Sequence, residues 1–195
     1  MKTFNGLLGM GLLLSLAGCG GGTEPGFTSI PPVPTLVISS TSYADGGVIG
    51  LKYAAVGQKG QNTSPQLRIE STPPGTAALA IVMDDETAPC GKTDTACVHW
   101  NVFNLPAEKK DIAEGENLAD ISGVIMGSTY NGQTGYQGPN PPLGKHYYRI
   151  TVYAMKAGIA ATAITPRYTS SQFEAAHAGL IMESASWSGH FTPLP

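Results

Sequence analysis

The sequence predicts an antiparallel, mostly β domain, and three patterns predict it. Short segments rich in β-branched and aromatic residues recur along the chain: LVISS (36–40), AALAIVM (77–83), VHWNVFNL (98–105) and YYRITVYAM (147–155). Between them lie turns drawn from a pool of 25 glycines and 15 prolines, which implies many ordered loops. One stretch, QFEAAHAGLIMESA (172–185), instead repeats apolar residues at helical spacing through Phe173, Ala176, Leu180 and Ile181, and predicts a small helix near the C-terminus.

The N-terminus reads MKTFNGLLGMGLLLSLAGC, with one lysine, an apolar run around Leu12 to Leu16, and small residues before Cys19. The run is too short for a permanent bilayer span. It resembles a bacterial lipoprotein signal over 1–18, which makes Cys19 the lipidated first residue of the mature chain, palmitate among its acyl groups. Two or more acyl chains hold a protein stably at a membrane surface. Residues 19–34, Gly-rich and then Pro-rich, have no periodicity that builds a core and read as a tether. The remainder, 35–195, has the length of one domain.

Charge removes two classes of partner. Loss of residues 1–18 removes only Lys2, so Lys+Arg falls from 11 to 10 against 14 Asp+Glu, a formal charge of −4. With no run of Lys or Arg, neither nucleic acid nor electrostatic docking on anionic lipid is expected. Membrane attachment is expected through the N-terminal lipid, in a bacterial cell envelope. Gly20 after Cys19, lacking an inner-membrane retention Asp, favours the outer membrane facing the periplasm.

Strand alternation then places the ionisable groups. Counting by twos, Leu79, Ile81, Met83 and Asp85 share a face, so an apolar stripe ends in a carboxylate. His99 falls with Asn101 and Phe103, opposite Val98, Trp100 and Val102. His146 and Tyr148 fall with Ile150, Val152 and Ala154. Polar groups at the end of a buried face are what a pocket mouth requires. Residues 111–121 read as loop or a short helical turn, and His177 and His190 as structural or exposed.

Once Cys19 is acylated, Cys90 and Cys97 are the remaining thiols, and export places them in an oxidising compartment. A disulfide closing this short loop is the favoured reading. Zinc ligation by Cys90, Cys97 and His99 and a reactive thiol stand as alternatives, although no fourth metal ligand is evident. No cofactor or metal is expected.

Four motifs in order, SPQL (64–67), the strand into DDETAP (84–89), VHWNVFNLP (98–106) and GPNPPLGKHYYRITVYAM (138–155), are similar to the phosphatidylethanolamine-binding protein family. The nearest branch is the bacterial one labelled Raf kinase inhibitor-like, and the resemblance spans 36–190. It implies a β-sandwich of antiparallel sheets with a small C-terminal helix and an anion pocket near one edge. The family's pocket positions fall on Asp85, Pro89, His99, Gly138, His146 and Tyr148. Glu86 and Thr87 depart from its Asp-Pro-Asp-Ala-Pro motif, which implies a differently shaped loop.

The function expected is membrane-tethered binding of a small phosphorylated or anionic ligand, a lipid headgroup among the candidates, in a regulatory role. Imidazole N–H groups of His99 and His146, the Tyr148 hydroxyl and backbone N–H groups around Gly138 are the expected donors. Asp85 is expected to accept a proton from a histidine and fix its tautomer. Two other classes remain: a protein-interaction or inhibitor module of the envelope, and a hydrolase using Asp85, His99 and His146.

Overall fold

Four long strands carry the domain. They are β4 (Ala78–Asp85), β5 (Cys97–Pro106), β8 (His146–Met155) and β9 (Ile181–Phe191). The computed structural model describes residues 35–87, 95–161 and 165–195, which fall within the unit Val33–Pro195. Shorter strands complete the described set: β1 (Val37–Ser39), β2 (Gly47–Val48), β3 (Leu67–Ser71), β6 (Asp111–Ile112) and β7 (Ile125–Met126), with one helix, α1 (Ser170–His177).

Two sheets form, one in the order β1-β3-β6 and one in the order β2-β9-β8-β4-β5-β7. Pairings are antiparallel except β2 with β9, which is parallel. The stripe expected on β4 is real: Leu79, Ile81 and Met83 pack with Trp100, Val102, Ile150 and Val152 and meet Leu67, Ile69 and Ile112 from the smaller sheet. Burial of these apolar faces is the main favourable term, since each fully buried aliphatic or aromatic side chain contributes roughly 1.5–3 kcal/mol. The β-sandwich is therefore the solution to covering one apolar face with another.

The second face of the large sheet is covered by α1. Phe173, fully buried, stacks on Phe103 at 5.3 Å and meets the Tyr153 ring at 4.9 Å. The helix is shorter than the expected 172–185. A capping box fixes its start, with Thr169 Oγ1 accepting from Gln172 N–H and the Gln172 side chain accepting from Thr169 N–H. It ends at His177, and from Ile181 the chain is β9. The reason lies in MESASWSGHF, whose alternation pairs it residue by residue with β8, from Ala154 opposite Glu183 to His146 opposite Phe191. Leu180 and Ile181 therefore belong to a turn and a strand, and β9 rather than the helix is the last element.

Side chains also replace missing strand neighbours. Asn101, fully buried, accepts from Tyr168 N–H and donates to Tyr168 C=O, pinning the segment before α1. At the opposite end of the sheet from His146, Glu183 accepts from the N–H groups of Thr35 and Leu36 and from Thr35 Oγ1. The described chain thus begins clamped to β9. Among the described residues no helix is long and apolar enough to cross a membrane.

Asp84 ties β4 to α1. Its Oδ2 accepts from Ser170 N–H at 2.7 Å, while Oδ1 is buried without a partner. Burial pushes its pKa up to about 6, against the pull of the Ser170 hydrogen bond. An acid whose folded pKa lies above its unfolded one costs stability above the folded pKa, and that cost disappears as pH falls from about 6 toward the ordinary value of 3.8. Asp84→Asn should therefore stabilise the fold at pH 7.5, by on the order of 1–3 kcal/mol, and the gain should vanish by pH 4. Urea unfolding at the two pH values reads this, and a variant less stable than the parent at pH 7.5 would show the carboxylate to be needed in ionised form.

Candidate functional site

Four of the predicted residues meet at the His146 end of the large sheet. Asp85 closes β4, opposite Tyr148 on β8 and Cys97 on β5. Asp85, His99, His146 and Tyr148 are each at most 3% exposed. Asp85 and His146 form an ion-pair geometry, with His146 Nδ1 at 2.7 Å from Asp85 Oδ2. Asp85 Oδ1 accepts from Thr87 N–H at 2.9 Å, so both carboxylate oxygens are occupied. Asp85 thereby fixes the orientation of His146.

His99 reaches this cluster through a β-bulge. The β4–β5 register runs Met83 opposite Trp100, then Asp84 opposite Val98, so His99 is the extra residue. Strict alternation puts it with Asn101 and Phe103, on the α1 side. The bulge turns it toward Asp85 instead, and its ring lies 5.1 Å from that of Tyr148. Bulges re-aim side chains in this way beside functional sites.

The ring of His99 is held from two directions. Its Nδ1–H donates to Gln137 C=O at 2.6 Å, and Gln137 N–H donates to His99 C=O at 2.8 Å. Asn62 brackets Gln137, accepting from Gly138 N–H at 2.7 Å and donating to Tyr136 C=O at 3.1 Å. Asn62 has φ of +53°, a conformation asparagine tolerates better than most residues. Burial drives the His99 pKa below its ordinary value, against the Gln137 carbonyl and the charge of Asp85, which raise it.

A cavity of about 180 Å3 opens here, lined by Asp85, His99, Tyr130, Asn140, Pro142 and His146, with Cys97 and Pro141 completing the wall. Tyr148, an expected site residue, is not among the lining residues; its ring packs 5.1 Å from that of His99 and 6.5 Å from that of His146. Its hydroxyl is buried beside the Asp85 carboxylate. Burial raises the phenol pKa strongly, and the Asp85 charge adds to it.

Gly138 is corrected. It does not line the cavity, and its N–H is occupied by Asn62. Glycine stands there because a Cβ would lie 2.1 Å from Tyr53 C=O, a packing constraint. Pro89, Cys90 and Cys19 lie outside the described residues. Tyr130 and Asn62 are not marked by anything in their local sequence, and Asn140, although inside the 138–155 motif, is not singled out there. Thr87, where the motif departs, has a visible role: its hydroxyl accepts from Tyr147 N–H at 2.9 Å and holds the loop to β8. Glu86 pairs with Arg149 at 2.8 Å.

Residues 39–192 match the family described as phosphatidylethanolamine-binding protein. The chain belongs to this family. It is 33% identical over 168 residues to the Mycobacterium tuberculosis protein named "Putative lipoprotein LppC", covering 77% of this chain and 78% of that one. It is 36% identical over 107 residues to the Escherichia coli UPF0098 protein YbhB, covering 53% and 66% of the two chains. A phosphatidylethanolamine-binding protein homolog from Chlamydia trachomatis superposes with a TM-score of 0.69 at 25% identity, over 82% of this chain and 99% of that structure. Escherichia coli YbcL superposes with a TM-score of 0.71 at 22% identity, over 83% and 100%, a likeness of fold.

The bracket around Gln137 can be tested through Asn62→Gly. Glycine keeps the positive φ and deletes both side-chain hydrogen bonds, so about 1–3 kcal/mol of stability should be lost. The 15N resonance of His99 Nδ1 should shift at the same time. An unchanged resonance would mean that Asn62 plays no part in setting the ring.

Proposed function

We propose that this chain is a lipid-tethered binding protein of the phosphatidylethanolamine-binding family, taking a small oxyanion such as a phosphoryl group in the cavity between His99 and His146. The observation that carries the reading is the buried Asp85–His146 pair opening onto a cavity that His99 also lines. Protonated His146 offers its Nε2–H to a ligand oxygen, because Asp85 holds Nδ1 and balances the charge. With so few donors, affinity should be modest, about millimolar to micromolar.

A binding titration followed by two-dimensional amide NMR tests this. Inorganic phosphate should produce saturable shifts at Asp85, His99 and His146, and His146→Ala should weaken binding at least tenfold while the remaining amide spectrum reports an intact fold. Equal affinity in the variant would remove the site from consideration.

A second reading has its own observation. Leu143 and Tyr147, 76% and 60% exposed, lie in sequence beside the cavity residues Pro142 and His146. Exposed apolar groups at a pocket rim suit a protein-interaction or inhibitory role in the envelope.

The tether and the Cys90–Cys97 bridge belong to the same proposal. The relative named as a lipoprotein supports acylation at Cys19, and Cys97, which is not a free group, supports the bridge. The bridge would pin the loop between Thr87 and Cys97 beside the cavity that Cys97 lines. Intact mass spectrometry of membrane-extracted chain should find a polypeptide starting at an acylated Cys19 that takes up no thiol reagent until reduced. An unacylated chain, or one alkylated without reductant, would overturn the corresponding part.

A further inference from the structure

The hydrogen bonds around His99 and His146 decide what kind of ligand the cavity accepts. A carbonyl oxygen can only accept, so the 2.6 Å contact with Gln137 C=O places a proton on His99 Nδ1. Nε2 is the remaining polar atom of a ring that lines the cavity. In the neutral ring that atom is a lone pair, an acceptor and not a donor. Acceptors on the wall are poor company for a fully ionised oxyanion. They suit a ligand that brings a proton.

The surroundings keep His99 in that state. The titratable groups near it are Asp85 on β4, His146 and Tyr148 on β8, and Tyr130, whose ring lies tilted to it at 4.8 Å. Asp85 favours the charged ring and His146 opposes it, but burial is the largest influence and favours the neutral form. The Gln137 and Gly138 backbone also favours the charged ring, yet burial outweighs each of these influences.

We propose that the cavity selects oxyanions carrying a P–OH group, which donates to His99 Nε2 while another oxygen accepts from His146. This rests on the oxyanion reading above and narrows it. Inorganic phosphate and singly protonated phosphate monoesters satisfy it. Sulfate does not, and neither does the phosphodiester of an intact phospholipid headgroup, which has no P–OH to give. The ligand chemistry is thus a free phosphate or monoester in preference to a headgroup in a bilayer.

Calorimetric titration of the full-length chain in detergent micelles tests this with five probes: phosphate, sulfate, dimethyl phosphate, phosphoethanolamine and glycerophosphoethanolamine. At pH 8 hydrogen phosphate and sulfate have the same charge and shape and differ by one proton, so phosphate should bind at least tenfold more tightly, because a buried acceptor left unpaired rejects the ligand that lacks the donor. Phosphoethanolamine should exceed glycerophosphoethanolamine at pH 6. Above its second pKa of about 6 the monoester loses its proton and its affinity should fall, by up to tenfold per pH unit. Inorganic phosphate keeps a P–OH over this range and should fall less. Parallel losses for the two would place the titrating proton on the protein and overturn the proposal. Equal binding of phosphate, sulfate and the two diesters would overturn it while leaving the oxyanion site standing. Binding of none of the five at millimolar concentration would remove the site itself.

Discussion

Burying Asp85 and His146 together is an arrangement that tolerates little change around it. Removing one partner of a buried pair leaves an uncompensated group in low dielectric, at a cost of about 3–5 kcal/mol, so the two side chains enforce each other's position. The pair sits where β4 and β8 end in register, Asp85 opposite Tyr148. Thr87 then completes the arrangement, donating its N–H to Asp85 and accepting from Tyr147 N–H, so the acid, the loop and the strand are closed into one hydrogen-bonded ring. Everything else in the cavity is placed relative to that ring. The bulge at His99 brings the second imidazole to it, and Tyr148 is packed between the two histidines.

This explains why a family pattern survives a changed motif. Thr87 and Glu86 replace an aspartate and a proline of the family motif, yet Asp85 keeps its contact with His146 because Thr87 supplies a backbone N–H that any residue could give and a hydroxyl that fits β8. Glu86 moves its charge outward, to Arg149. The chemistry of the cavity is therefore insulated from the part of the loop that has diverged.

The legible part of the molecule was the part governed by local periodicity. The stripe Leu79, Ile81, Met83, Asp85 and the stripe His146, Tyr148, Ile150 each lie where a period of two places them. His99 was assigned to the wrong face because a bulge adds a residue, and a bulge is a property of two paired strands rather than of one. The helix was extended too far because Leu180 and Ile181 fit a helical stripe as well as the start of β9, and the partner strand β8 decides between them. Asn62 and Tyr130 escaped for the same reason at longer range: Asn62 meets Gly138 across 76 residues of chain. Gly138 showed itself as an important glycine, but its importance is the absence of a Cβ against Tyr53, which only the folded backbone reveals.

The Glu183 clamp on Thr35 and Leu36 has a mechanical meaning. Glu183 lies opposite Ala154, eight residues along β8 from His146, or about 26 Å of strand at 3.3 Å per residue. Any tension on the upstream chain therefore enters the sandwich at the end of the sheet remote from the cavity. It is borne by the hydrogen bonds of Thr35 and Leu36 to one carboxylate and by the edge strand β1. A load applied there can fray the first strand while the Asp85–His146 pair and the bulge at His99 stay unstrained. The domain has its handle at one end and its cavity at the other.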